Sequence, residues 1–358
     1  MRKPVFASLI LIAVGAVAAA PSLSAEPVVE ACASNPEVLG LSRIVEIDTK
    51  GGPQFGSGHP ANDFLGDHEV VLTFDDGPSR GYTRAVLKAL ADQCTKATFF
   101  MVGRMAASDP AIVKEVAAQG HTVGTHTYSH KNLKPIGLLK GRQEFEMGVS
   151  AVSKALGAPV APFFRFPFLS ESRLVIEHAR SRNVAVFSID IDPKDYQTRD
   201  GEAVHRRVMS QLAVHKKGII LMHDIQPSTA HGLKGLLDDL HKNGFKVVHM
   251  VPKAPIETIS NFDGAASKEI AAKESAAAAN PMAARSVVWP ITPAPSAAAK
   301  DAKAPSPAAS LPATVADPEV LPWQSEEPKK SAEPPSKPKR IARPKVDDLP
   351  WQMNVFRN

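Results

Sequence analysis

Residues 70–79 read VVLTFDDGPS, an apolar run that stops on two neighbouring acids, Asp75 and Asp76, with Gly77 and Pro78 directly behind them. Four of the first five residues are apolar, which reads as a buried strand. Two carboxylates this close at the end of such a strand repel, and both stay ionised only with a cation between them. Successive strand residues point to opposite faces. Here Gly77–Pro78 ends the strand at once, so the turn can bring both acids to one rim. The rest of the chain has to supply the positive charge.

Working outward, apolar strand candidates recur at 70–74, 97–102, 121–125, 162–166, 184–190, 218–223 and 246–250. Amphipathic stretches lie between and after them at 84–92, 110–119, 141–156, 174–182, 203–215 and 233–242. Gly120, Gly157 and Gly244 fall where helices should end, the usual place for a glycine cap. Seven strands alternating with helices predict an α/β fold with a parallel sheet under helices. A closed or nearly closed barrel fits this count, and periodicity leaves an open doubly wound sheet as the alternative. In either fold, function gathers at the carboxyl ends of the strands. Asp75 and Asp76 follow the first strand, His126 and His130 the third, and Arg165 ends the fourth. Asp192 and Asp195 follow the fifth and His223 ends the sixth, so the polar residues collect on one rim.

The two ends of the chain read differently. Arg2 and Lys3 precede an apolar run from Val5 to Ala20, and small residues follow at Ser22, Ser24 and Ala25. That is the layout of a cleaved signal peptide over residues 1–25, too short for a typical membrane span, and it predicts an exported protein, periplasmic or secreted. Residues 26–69 are expected to form an arm. The chain's two cysteines, Cys32 and Cys94, could pair in an oxidising compartment and pin that arm to the domain. After residue 252 the composition turns to Ala, Pro, Lys, Ser and Glu, with more than half of the 31 prolines. Residues 253–358 are therefore expected to be a disordered tail, and removal of everything after about Asn261 is expected to leave catalysis intact. The tail holds Trp289, Trp323 and Trp351, two of them in a repeated LPWQ at 321–324 and 349–352, a candidate docking element for an envelope or protein partner. The net charge of +5 suits anionic surroundings, but basic residues do not interleave with aromatics, which argues against nucleic acid. Oligomeric state is not readable.

HTYSH places His126 and His130 four residues apart. On a helical turn that spacing aims both imidazoles the same way. With one carboxylate from another strand end, they make a common ligand set for a divalent cation. Asp192, beside Pro193, reads as a cap of the following turn and stays outside the set.

TFDDGP, HTYSH, RFPF, DPKDY and LMH occur in this order between residues 73 and 223. In order and spacing they resemble the polysaccharide deacetylases, the NodB-homology enzymes of carbohydrate esterase family 4. The resemblance covers about half of the chain, over residues 70–252, and is silent on the tail. It implies an irregular (β/α)7 barrel and metal-dependent removal of N-acetyl, or O-acetyl, groups from a polysaccharide or oligosaccharide. It implies Asp76, His126 and His130 as metal ligands and Asp75 as general base with Arg165 beside it. His223 would be the general acid, paired with Asp195, and a backbone N–H near Phe168 would help hold the oxyanion. Zinc suits two imidazoles and a carboxylate, with cobalt or nickel as alternatives.

The chemistry agrees with these roles. An amide is a poor electrophile with a poor leaving group, so hydrolysis needs a polarised carbonyl, a proton acceptor for water and a proton donor for nitrogen. A free aspartate, with a pKa of about 3.9, is a weak base and serves only where the water is already acidified. A histidine near pKa 6.5 can donate at neutral pH, more so beside an acid. One aspartate would then face a cation and the other a guanidinium. The sequence departs from the resemblance at Tyr196, where Trp is frequent, and at Leu169, where Gly is frequent; both bear on substrate preference and loop shape. Two other readings compete: a non-catalytic carbohydrate-binding protein, which predicts a lost catalytic residue, and a non-haem Fe(II) oxygenase, which leaves Asp75, Arg165 and His223 without a task.

Overall fold

β3 (Glu69–Asp75) is the strand that the opening stretch predicts, and every residue after Glu69 is buried. The structure is a computed structural model that describes Cys32 and residues 35–279. The expected signal segment, the LPWQ repeats and the three tryptophans lie outside the described residues.

One edge of β3 is taken from Val70 to Asp75 by β8 (Gly218–His223). The other edge is shared: β9 (Lys246–Pro252) pairs with Glu69 and Val70, and β4 (Thr98–Met101) with Thr73–Asp75. From β4 the ladder runs through β5 (Thr122–Thr125), β6 (Phe163–Phe164) and β7 (Ala185–Phe187), all parallel. A bridge from Ile191 to Ile220 then joins the chain after β7 to β8. The ring closes through six strands, with β9 wedged against its first: an irregular α/β barrel.

Period-two alternation splits the strands between two cores. Val71, Phe100, Phe163, Phe187 and Ile219 pack together inside the ring. Leu72, Phe74 and Phe99 face outward onto the helices. Parity puts Thr73 and Asp75 on the inner face with Val71, and so aims Asp75 into the mouth of the barrel. The helices are α1 (Arg80–Asp92), α2 (Gly103–Ser108), α3 (Pro110–Ala118), α4 (Gly137–Leu156), α5 (Arg173–Ser181), α6 (Gly201–His215), α7 (Pro227–Lys242) and α8 (Ser260–Ala279). No helix of the described residues is long and apolar enough to cross a membrane.

Both ends of the expected domain need correction. Before residue 70, β1 (Arg43–Ile47) pairs with β9 and β2 (Gln54–Phe55) with β7. The arm is also held by the Cys32–Cys94 disulfide and by Leu39 N–H on Gln93 Oε1. β1 escapes pattern reading because only Ile47 of its five residues is buried. After residue 252, where a tail is expected to start, α8 packs on the domain with Ala266 fully buried and Ile270 against the main core. Alanine-rich chain gives no apolar stripe to read, yet its small side chains let a helix lie close.

Candidate active site

Asp76 is where the strand's parity breaks. Alternation would send its side chain to the helix side, opposite Asp75, but its φ of 74° swings the chain round and keeps the carboxylate on the rim. The segment that follows is clamped: Val102 N–H donates to Gly77 O, and Ser79 N–H to Thr83 Oγ1 at 2.8 Å. Thr83 donates in turn to the buried Asp224 at 2.5 Å.

His126 and His130 do not sit on a helical turn, contrary to expectation. They belong to a loop after β5 in which Thr127 and His130 have φ of 65° and 59°. Hydrogen bonds from outside the loop hold this geometry. The result is nevertheless convergent: one donor atom from each of Asp76, His126 and His130 lies within 4.8 Å of the others, and all three residues are buried. Asp76 Oδ1 lies 3.1 Å from His130 Nε2 and 3.5 Å from His126 Nε2.

The hydrogen bonding of His126 shows what this cluster suits. Its Nδ1 is 2.8 Å from the carbonyl of Arg165, which can only accept, so Nδ1 carries the proton. In the neutral ring Nε2 then presents a lone pair to the Asp76 oxygen. Burial pushes the imidazole down to about 4 against the pull of Asp75 and Asp76, so the ring is neutral over most of the accessible pH range. Two acceptors facing one another in a buried site call for a cation. For Asp76, burial favours the neutral acid, but the His130 hydrogen bond and nearby positive charge, that of His223 first, outweigh it and hold the carboxyl well below the usual range. Two imidazoles and an ionised carboxylate are a fitting donor set for a divalent metal such as zinc.

Asp75 stands beside this set and is engaged differently. Its Oδ1 accepts from Arg165 Nη1 at 2.7 Å, while Oδ2 is 3.9 Å from His126 Nε2. Arg165 is fully buried. It also donates to Thr73 Oγ1 at 2.8 Å, reaches the carbonyls of Phe187 and Ser188 at 3.3 Å and lies 4.3 Å from the centre of the Phe100 ring. Its burial lowers its pKa and Asp75 opposes that.

On the opposite wall, His223 Nδ1 meets Asp195 Oδ1 at 2.7 Å, and His223 Nε2 comes within 3.9 Å of Asp76. Asp195 is fixed by His223 N–H, by Thr229 at 2.5 Å and, at its carbonyl, by Ser228. Burial opposes protonation of His223, but Asp195, with help from Asp76 and Asp75, raises it to about 10. Asp192 accepts from Lys194 N–H at 2.9 Å, the turn cap expected of it. All seven expected residues, Asp75, Asp76, His126, His130, Arg165, Asp195 and His223, therefore meet at one mouth. Two exposed aromatics flank it: Phe168 stands edge-on to His130 with centroids 4.7 Å apart, and Tyr196 edge-on to His223 at 5.6 Å. Leu169, beyond Phe168, has a φ of 52° and its N–H is engaged by Phe166 O.

Sequence reading missed Thr73, Thr83, Glu144, Asp224 and Thr229, which support this set from behind. Only Asp224 carried a signal, as an acid next to His223 at the end of an apolar strand.

The same region is similar to known proteins. A family model described as polysaccharide deacetylase matches residues 64–187. The chain is 30% identical over 218 residues to a chitooligosaccharide deacetylase of Sinorhizobium fredii, covering 56% of this chain and 94% of that relative. It is 30% identical over 182 residues to a peptidoglycan-N-acetylglucosamine deacetylase of Listeria monocytogenes, covering 50% of this chain and 37% of the other. Among solved structures, a Bdellovibrio bacteriovorus peptidoglycan deacetylase is similar with a TM-score of 0.56 and 30% identity over 61% of each chain. The chain thus spans only part of the last two.

Proposed function

This chain belongs to the polysaccharide deacetylase family, and from that premise we propose that it hydrolyses N-acetyl groups of an amino-sugar glycan. One observation carries the reading. The acceptor atoms of Asp76, His126 and His130 converge on one point, while a second acid, Asp75, stands beside it on its own guanidinium. A divalent cation held by the three would polarise the acetyl carbonyl and acidify the attacking water.

The remaining work falls to the chain. Asp75 accepts the proton of the water as its oxygen adds to the acetyl carbon, with Arg165 fixing the orientation of the carboxylate. Charge gathers on the former carbonyl oxygen, and the amide of Phe168 is proposed to donate to it. His223, charged through Asp195, gives its proton to the sugar nitrogen as the carbon–nitrogen bond breaks. Acetic acid and a free amine leave, the acid giving its proton to the amine or to solvent. The proton on Asp75 passes to His223, directly or through solvent, which resets both groups. Phe168 and Tyr196 offer apolar walls on either side for the sugar ring. An exported site of action, expected from residues 1–25, and a basic chain favour an envelope glycan as substrate.

Acetate release from peptidoglycan fragments, chitooligosaccharides and O-acetylated xylan tests this, using chelated protein and protein reloaded with zinc, cobalt or nickel. Release from an N-acetylated glycan, lost on chelation and regained with metal, is expected. Asp75→Asn should cut turnover 10²-fold or more while metal still binds. A chain that binds metal and glycan yet releases no acetate from any of them would instead be a carbohydrate-binding protein.

A further inference from the structure

The loop that presents His126 and His130 adopts a shape that its sequence does not favour. Thr127 and His130 both lie in the left-handed region, which non-glycine residues rarely occupy, so neighbouring elements must over-determine it. Two of them do so with backbone and carboxylate. From α2, Gly103 N–H and Arg104 N–H each donate at 2.9 Å, to Thr127 O and Tyr128 O. From α4, Glu144 takes Ser129 N–H and Ser129 Oγ at 2.8 and 2.7 Å, and its carbonyl takes Tyr128 N–H at 2.9 Å. The fit is tight enough that a methyl group at Gly148 of α4 would stand 2.7 Å from the Thr127 carbonyl carbon, and one at Gly103 3.1 Å from the Tyr128 ring.

Tyr128, midway between the two histidines, is held at its far end by a third element. Its hydroxyl donates to Glu269 of α8. Four residues on, Lys273 pairs with Glu269 at 3.2 Å and reaches Arg104 O and Ser108 Oγ of α2 at 3.0 and 2.7 Å. Helix α8 thus grips both the loop and the helix that clamps the loop. We infer that Glu269 is a positioning residue for the histidine pair, acting through Tyr128, and that α8 belongs to the outer layer of the metal centre. This rests on the cation-binding reading of Asp76, His126 and His130. The sequence region concerned was expected to be tail.

Partners behind metal ligands typically govern affinity by about 10- to 100-fold, and that quantity separates positioning from bulk support. In the full chain, Zn²⁺ affinity is measured by competition with a chromophoric chelator, and amide exchange of residues 126–130 is followed in the metal-free protein. Tyr128→Phe and Glu269→Ala should each weaken Zn²⁺ binding about 10-fold or more and speed exchange in the loop. The double variant should be no worse than either single one, and Glu269→Gln, which keeps an acceptor for the tyrosine, should stay close to wild type. Unchanged affinity and exchange in both single variants, even with a lowered melting temperature, would overturn the inference and leave the cation site standing. Failure of the wild type to bind Zn²⁺ would overturn both.

Discussion

His126 Nδ1 donates to the main-chain carbonyl of Arg165 at 2.8 Å, and the side chain of the same arginine donates to Asp75 at 2.7 Å. One residue therefore serves two neighbours by separate parts. Its backbone fixes the tautomer and tilt of a candidate ligand, the role that an outer-layer carbonyl commonly plays at metal-binding histidines. Its guanidinium balances a buried acid that would otherwise have none of the cation's charge directly against it.

Substitution of the side chain separates the two. Arg165→Met keeps the carbonyl that orients His126 and strips Asp75 of its partner. Breaking a buried ion pair from one side typically costs about 3–5 kcal/mol, and Thr73 loses a donor as well. Metal stoichiometry is expected to stay at one per chain while unfolding free energy falls by about that amount and acetate release drops at least 10²-fold. Retained turnover with retained metal would show that Asp75 needs no orienting partner.

The roles of Asp76 and Asp75 are likewise separable. Asp76→Asn removes the anionic member of the ligand set, so metal affinity should collapse and excess metal should restore activity only partly. Asp75→Asn should do the reverse, holding metal without turning over. Equilibrium dialysis alongside acetate release distinguishes them; matching phenotypes would mean that the two acids act as one unit.

Much of this was legible in residues alone, and the exceptions share a cause. The seven apolar strands announce themselves because each is buried on both faces. β1 is mostly exposed and α8 lacks an apolar stripe, so neither carries the periodicity that reading depends on. At the site, short-range motifs revealed the residues that face the mouth. The ones behind them were hidden: Thr73 meets Arg165 across 92 positions and Thr229 meets Asp195 across 34. A threonine hydroxyl acquires such a partner only when the barrel closes. HTYSH showed its ligands but not its shape, because two left-handed residues are imposed by α2 and α4 rather than by local preference.

His223 provides a pH signature. Asp195 raises it to about 10 in the metal-free site, and a cation held by Asp76 would work against that rise. A general acid must be protonated to act, so the rate should fall as pH climbs through the His223 midpoint of the metal-loaded enzyme, which lies below that value. Asp195→Asn removes the main stabiliser of the charged ring and should move the alkaline limb of kcat to lower pH. Zinc should lower the His223 midpoint followed by NMR. An alkaline limb that stays in place in Asp195→Asn would assign it to another group.

Stability should respond at the acid side for a different reason. His121 and His249 are buried, and burial pushes them down to about 3 and about 4. The unfolded chain, near 6.5, binds protons at these two positions that the folded chain refuses, so their contribution to stability rises with pH between about 4 and 6.5 and is constant above. His121 Nδ1 accepts from Ala97 N–H at 3.2 Å. His121→Asn keeps an acceptor there without the titration and should flatten part of the slope in denaturant melts at pH 4.5 and 7. An unchanged slope would place the proton uptake elsewhere.

Truncation decides where the working domain ends. A chain stopped after Ala279 keeps Ala266, Glu269 and Ile270 in place and is expected to release acetate from soluble oligosaccharides at close to the full-length rate. Stopping after Pro252 uncovers the surface on α4 and α2 against which α8 lies. It also removes the acceptor for Tyr128 and the Asp263 partner of Lys154 at 3.3 Å. Burial is worth about 25 cal/mol per Å² of apolar surface, so even about 100–200 Å² lost there amounts to about 2.5–5 kcal/mol, a large part of a typical domain's stability. The shorter chain should melt markedly lower and bind zinc more weakly, whereas the longer one should do neither. Equal melting temperatures and rates for the two would show that α8 contributes nothing to the domain on which it lies.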